Sequence, residues 1–453
     1  MKFATFLVLL GLGVSQAFFF NWQKRIRRLP IPDDAGEPLI LTPYLSQNRN
    51  EEARKAAEVN YDAFQGVKSY SGYFTVDERF DSNLFFWFFP SANDYENDPV
   101  LLWLQGGPGA PSLYALFTEN GPFFLDDDTL KLREYSWHKN HSVLYIDSPV
   151  GTGFSFTNGG LADNQTKVGE DLYQALVQFF TLFPEIQKND FFVTGESYAG
   201  KYIPAIGYTI YKNNPTADVF INLKGLLIGN GLSDPINQLD YGDYVYQIGL
   251  VDSDTRDLLN DMKQQTISLI NKGDYEGATE IMNGDMMWVI MGSSGITDIY
   301  NYENLAIEYL DEWQDYVQAN LRSAIHVGNV VIGSGDVWGH LEADITKSVA
   351  PWVSELLSNY RVLIYNGQLD IIVAYPLTVN YLRNLNFSAA AEYKAAYRSL
   401  WVVDDDVAGY AKVAGNLTEV LVRNAGHMVP MDQPKWGYDL VYKFARNLTI
   451  GFL

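Results

Sequence analysis

Phe191-Phe192-Val193-Thr194-Gly195-Glu196-Ser197-Tyr198-Ala199-Gly200 decides the fold of this chain. An apolar run leads into a glycine, a carboxylate, a serine, an aromatic and two small residues. That order predicts a strand, a tight turn and, after Lys201, a helix. Ser197 stands at the apex of the turn. A serine held there projects its hydroxyl out of the sheet, and its backbone geometry tolerates only small residues two positions away. Gly195 and Ala199 fill those positions. The plain alternative is a strand that happens to end in Gly-Glu-Ser, so the rest of the chain has to supply a context.

Moving outward, strand signals recur. Ser71–Val76 and Leu84–Phe89 are separated by a polar turn and read as an antiparallel pair. Val100–Gln105, Ser142–Asp147, Phe191–Thr194, Leu223–Asn230, Arg361–Gly367 and Leu417–Val422 are short, mostly apolar runs, as strands covered on both faces should be. Glu51–Val59 and Thr166–Leu182 have helical spacing. Strands alternating with helices predict an α/β protein with a mostly parallel sheet and helices on both faces. Residues 233–348 lack a buried strand run and are too long for a crossover. They read as an inserted helical cap. The expected organisation is a signal peptide over 1–17, an N-terminal extension or pro-segment over 18–45, core over 46–232, cap over 233–348, and core again over 349–453.

Composition removes several function classes. A formal charge of −23 argues against nucleic acid, which needs clustered Lys and Arg. With no cysteine there is no disulfide, thiol nucleophile or cysteine zinc site. His138, His141, His326, His340 and His427 form no metal-binding pair, and no cofactor is expected. Lys2, the apolar run Phe3–Val14 and Ser15-Gln16-Ala17 form a secretory leader, with cleavage expected near Ala17. That run is too short for a membrane span, and no later segment is long and apolar enough. Sequons at Asn140, Asn164, Asn386, Asn416 and Asn447 fit the same secretory route, to a secreted or lysosomal lumen. Asn140 directly precedes a strand expected to be buried.

A serine nucleophile needs a base, and the base needs an orienting acid. In an α/β-hydrolase fold these follow in the order Ser, acid, His. Asp370 follows the strand Arg361–Gly367, and His427 follows Leu417–Val422. A turn aspartate or a loop histidine is common alone. Here order and element type agree for both. The Gly-rich Gln105-Gly106-Gly107-Pro108-Gly109 follows a central strand. Gly107 N–H and Tyr198 N–H are therefore the candidate oxyanion donors.

At this point the chain resembles the serine carboxypeptidase family. The resemblance is carried, from about residue 65 to the C-terminus, by Leu102-Trp103-Leu104-Gln105-Gly106-Gly107-Pro108-Gly109, Glu119-Asn120-Gly121-Pro122-Phe123, Tyr145-Ile146-Asp147-Ser148-Pro149-Val150-Gly151-Thr152-Gly153-Phe154-Ser155, Gly195–Pro204, Ile228-Gly229-Asn230-Gly231, Tyr365–Asp370 and Gly426-His427-Met428-Val429-Pro430. Gln105 and the Gly-Thr-Gly-Phe-Ser-Phe stretch look most like the vitellogenic-like branch. The resemblance implies release of single C-terminal amino acids from peptides through an acyl-enzyme. It places Ser197, Asp370 and His427 in the triad, and Gly107 and Tyr198 in the oxyanion hole. It implies that Gln105, Gly106, Glu119 and Glu196 hold the substrate's carboxylate. Two neighbouring glutamates can do so only if a proton is shared, which predicts an acidic optimum. Most of the family has Asn at the position of Gln105, and Cys after the Gly-Gly-Pro-Gly turn, where Ala110 and Pro111 stand here. The alternatives are an acyltransferase or esterase on the same fold, and a non-catalytic protective partner. A homodimer is left open.

Overall fold

The structure is a computed structural model and describes residues 29–32, 35–306, 311–333 and 335–451. The expected leader lies outside them. Ten strands form one sheet: β1 (Tyr70–Asp77), β2 (Ser82–Phe89), β3 (Val100–Leu104), β6 (Ser142–Ile146), β7 (Phe191–Glu196), β8 (Leu223–Gly229), β9 (Arg361–Gly367), β10 (Ser399–Val403), β11 (Asp406–Ala414) and β12 (Leu417–Val422). A separate hairpin joins β4 (Phe123–Asp126) to β5 (Thr129–Leu132). The order across the sheet is β1-β2-β6-β3-β7-β8-β9-β12-β11-β10. From β6 to β12 all pairings are parallel. The two outer strands on either side are antiparallel.

The alternating side chains show why the sheet is central. On β3, Val100, Leu102 and Leu104 pack into one apolar core while Leu101 and Trp103 pack into the other. On β2, Phe86 and Phe88 face the first core, and Phe85, Trp87 and Phe89 the second. Successive side chains point to opposite faces, so an all-apolar strand is the signature of a sheet buried on both sides. Helices α1 (Leu113–Thr118), α2 (Gln165–Leu182), α3 (Ala199–Asn213), α4 (Ser253–Lys272), α5 (Val337–Ile345) and α6 (Pro434–Ala445) lie among the shorter helical turns.

The elbow, Asp370 and His427 follow β7, β9 and β12. In a parallel sheet these C-terminal ends gather on one edge, where ligands bind in open α/β folds. The described residues of 233–348 hold helices and turns and no strand. No helix among the described residues is long and apolar enough to cross a membrane.

Two hairpins lie beyond the strands the pattern marks. Their turns, Asp127-Asp128 and Asp404-Asp405, have positive φ at both residues, as type I′ turns require. The helix expected over Glu51–Val59 runs Asn50–Ala56, because Val59 N–H is taken by Ser69 carbonyl beside β1. The last residues of the expected N-terminal extension pair with β1. Tyr73 N–H donates to Leu39 carbonyl (2.9 Å) and Leu41 N–H to Tyr73 carbonyl (2.9 Å). Leu41 is fully buried. We expect Leu41→Ala to cost roughly 2–5 kcal/mol of stability, measured by denaturant unfolding. A wild-type midpoint would show this stretch to be dispensable.

Candidate active site

The site begins with a close approach. A Cβ on Gly106 would stand 2.6 Å from Ser197 Cβ and 2.7 Å from Tyr198 N, so only glycine fits. The end of β3 and the elbow after β7 therefore touch backbone to backbone. Ser197 has φ +63°, in the left-handed region that a non-glycine residue reaches at a cost of about 1–3 kcal/mol. Three hydrogen bonds hold it there. Its N–H donates to Gly229 carbonyl (3.0 Å), and its carbonyl accepts from Gly200 (2.9 Å) and Leu232 (3.0 Å).

Asp370 and His427 meet. Asp370 Oδ2 lies 2.9 Å from His427 Nδ1, and both side chains are buried. The carboxylate accepts, so Nδ1 carries the proton and Nε2 is left as the basic nitrogen. Nε2 is buried without a hydrogen-bond partner, and the structure does not close a bond from it to Ser197. Such bonds are often long without substrate and tighten in the complex.

Asn230, which sequence reasoning quotes without giving it a role, joins this pair. Its Nδ2 donates to Asp370 Oδ2 (2.7 Å), and its Oδ1 accepts from Gly367 N–H (3.1 Å). A second missed element is a strap in the inserted segment. Ile299 carbonyl accepts from Ile371 (3.1 Å) and Ile372 (3.2 Å), Tyr302 N–H donates to Leu369 carbonyl (3.0 Å), and His427 N–H donates to Tyr300 carbonyl (2.7 Å). The Tyr300 ring meets the His427 ring edge-on at 5.2 Å. Backbone hydrogen bonds of this kind leave no residue-type signal.

Beside the elbow lies a buried acid pair. Trp103 Nε1–H can only donate, and it donates to Gln105 Oε1 (2.8 Å). That turns the Gln105 amide group toward the carboxyls, where Nε2 donates to Glu196 Oε1 (2.8 Å) and Glu119 Oε1 (3.4 Å). Oε2 of each glutamate is buried without a partner. Burial pushes the Glu119 carboxyl up to about 8, against its hydrogen bond with the Glu196 side chain and against Gln105 and Arg133. Burial pushes Glu196 well above the carboxylate range, and Glu119 beside it adds to the effect. Burial therefore favours the neutral form of both carboxyls.

The glycine turn has no disulfide to brace it. Ala110 N–H donates to Gly106 carbonyl (3.1 Å), and Ser112 N–H donates to Asp147 Oδ1 (2.8 Å). Asp147 Oδ2 accepts from Phe154 N–H (2.9 Å), and burial pushes this carboxyl up to about 7. Among the described residues, neither Gly107 N–H nor Tyr198 N–H donates to a backbone carbonyl.

The profile of the serine carboxypeptidase family, peptidase S10, matches residues 60–447. This chain belongs to the serine carboxypeptidase family. A venom serine carboxypeptidase of Apis mellifera is 50% identical over 92% of each chain. The vitellogenic carboxypeptidase of Aedes aegypti is 46% identical over 96% of each, and the probable serine carboxypeptidase CPVL of Homo sapiens 42% identical over 97% of this chain and 95% of its own. Among solved structures, the prohormone-processing carboxypeptidase Kex1(delta)p of Saccharomyces cerevisiae is similar with a TM-score of 0.75 and 25% identity, covering 87% of this chain and 96% of its own. The sheet and its helices are thus an α/β-hydrolase fold, and the protein is a serine carboxypeptidase that acts on peptides.

In this serine carboxypeptidase, Asn230→Ala strips Asp370 Oδ2 of a donor and Gly367 N–H of its side-chain acceptor. The expected result is a kcat lower by about tenfold or more at an unchanged KM. Steady-state kinetics on a blocked dipeptide checks it.

Proposed function

We propose that Ser197, His427 and Asp370 form the catalytic triad of this carboxypeptidase, and that it works best in acid. The observation that carries the reading is the buried Glu119–Gln105–Glu196 cluster set against the elbow. Ser197 Oγ attacks the scissile carbonyl while His427 Nε2 takes its proton. Gly107 and Tyr198 N–H groups bind the oxyanion. The imidazolium then returns the proton to the leaving amine, and water repeats the sequence on the acyl-enzyme. Gln105 Nε2, the Gly106 backbone and the protonated Glu119 and Glu196 carboxyls hold the substrate's terminal carboxylate. Residues 233–348 act as a cap over this edge.

The sign of the pH dependence follows from the raised carboxyls. A buried acid is neutral below its raised pKa and can donate to the substrate carboxylate. Above it the acid ionises and repels. Asp370 and Asp432 also oppose ionisation of the pair, and Arg133 favours it. KM for a free-acid peptide is therefore expected to be low in acid and to climb as pH rises toward about 8. The corresponding C-terminal amide should show no such climb. Assays of both substrates between about pH 4 and pH 8 decide it. A flat KM for the acid would remove the clamp. Ser197→Ala should lose about a thousandfold or more in kcat, and parent-like turnover would remove the nucleophile.

We also infer a secretory-pathway lumen, secreted or lysosomal, supported by the N-terminal leader and by sequon exposure. Asn164, Asn386, Asn416 and Asn447 are exposed. Asn140 is half-buried, its Oδ1 accepts from the Tyr438 hydroxyl, and the Ser142 of its sequon is fully buried. Glycan attachment is therefore expected at the four exposed sites and not at Asn140. Peptide mapping after enzymatic deglycosylation of the secreted protein checks it, and a glycan on Asn140 would contradict the burial argument.

A further inference from the structure

Directly beneath the elbow is a buried ion pair that the mechanism does not use. Lys201, on α3, is fully buried, and its Nζ lies 2.8 Å from Asp344 Oδ2 on α5. Nζ also donates to the Asp344 and Ile345 carbonyls. Asp344 Oδ2 takes two further hydrogen bonds, from the Tyr198 hydroxyl (2.7 Å) and from Gln165 Nε2 (2.7 Å). The Gln165 amide donates to the Tyr198 oxygen as well (3.2 Å). The Tyr198 ring is closed in by Lys201 Nζ, 5.4 Å from its centroid, and by Tyr202, edge-on at 5.1 Å.

An ion pair taken fully out of water costs several kcal/mol in desolvation per ion, and apolar side chains of equal volume would often serve stability as well. Burial lowers the Lys201 ammonium to about 8, which shows how strongly the site resists the charge. The pair instead does something geometric. Every polar contact of the Tyr198 side chain runs to this network, and Tyr198 carries the N–H that follows the nucleophile. At its other end, α5 meets the glycine turn after β3. Gly109 has φ +87°, and a Cβ there would stand 3.2 Å from Val337 Cβ. One nine-residue helix of the inserted segment thus packs against both turns, Gly106–Gly109 through Val337 and Ser197–Tyr198 through Asp344.

We propose that Asp344 and Lys201 are positioning residues for the oxyanion hole, fixing the Tyr198 peptide N–H through its side chain while Val337 braces the glycine turn. The proposal rests on the reading that Gly107 and Tyr198 N–H groups bind the oxyanion. Donors aimed at charge that develops only in the transition state raise kcat without tightening ground-state binding.

The test uses the full-length enzyme with Tyr198→Phe, which removes one hydroxyl and keeps the ring, and Asp344→Asn, which keeps the shape and removes the charge. Leu440→Ala, in the apolar core on the other face of the sheet from the network, controls for general loss of stability. Each is assayed with a blocked dipeptide, and with a peptide aldehyde and its alcohol as inhibitors. The aldehyde forms a tetrahedral adduct on Ser197 and needs the hole; the alcohol does not. Both network variants should lose about five- to tenfold in kcat with KM within about twofold. Aldehyde affinity should fall in parallel while alcohol affinity stays put. Leu440→Ala should unfold at lower temperature with kcat unchanged. If aldehyde beats alcohol equally in parent and variants, with kcat unchanged, the network positions nothing and the proposal is overturned. Should the parent itself bind aldehyde no better than alcohol, the oxyanion reading falls, and the proposal with it.

Discussion

The contact on which everything else depends is the one between the Gly106 backbone and the Ser197–Tyr198 peptide. Two adjacent parallel strands, β3 and β7, end at the same height, and the missing side chain at Gly106 lets their loops touch. Three consequences follow from one absent Cβ. The turn after β3 lies against the Ser197–Tyr198 peptide. Gln105, one residue earlier, reaches the carboxyl of Glu196, one residue before the serine. And α5 can press on both turns at once.

Electrostatics at this edge is arranged by exclusion of water. Glu119, Glu196 and Asp147 are all carboxyls whose burial favours the neutral form. The first two have oxygens left over, while Asp147 spends its oxygens on backbone N–H groups of the two loops flanking β3 and β6. Buried carboxyls at similar depth are thus left partly unpaired in one case and fully bonded to backbone in the other. Asp147 and Ser112 pin the glycine turn by hydrogen bonds, in a chain that has no cysteine.

Much of this was legible in the sequence because both-face burial writes itself as uninterrupted apolar runs. β3, β6, β8, β9 and β12 were found that way, and the order Ser197, Asp370, His427 followed from where those runs ended. The hairpins β4–β5 and β10–β11 were not found, since their exposed faces carry polar residues such as Thr129, Lys131, Lys412 and Asp406 that dilute the pattern. Asn230 was quoted and passed over because its partner is 140 positions away. Asp344 was invisible for a similar reason. Its carboxylate reads as one more charge on a helix until the fold brings Lys201 beneath it. The strap through Ile299–Tyr302 acts through its backbone, which no composition records.

That strap constrains how peptides get in. Ile299, Tyr300 and Tyr302 are bonded to the loops that carry Asp370 and His427. A lid that lifted as a rigid unit would drag the acid and the base apart at each opening, and every turnover would begin by rebuilding the catalytic site. Residues 299–302 are therefore tied to the loops that carry Asp370 and His427. Motion within residues 233–348 that leaves those loops in place has to come from parts other than this stretch.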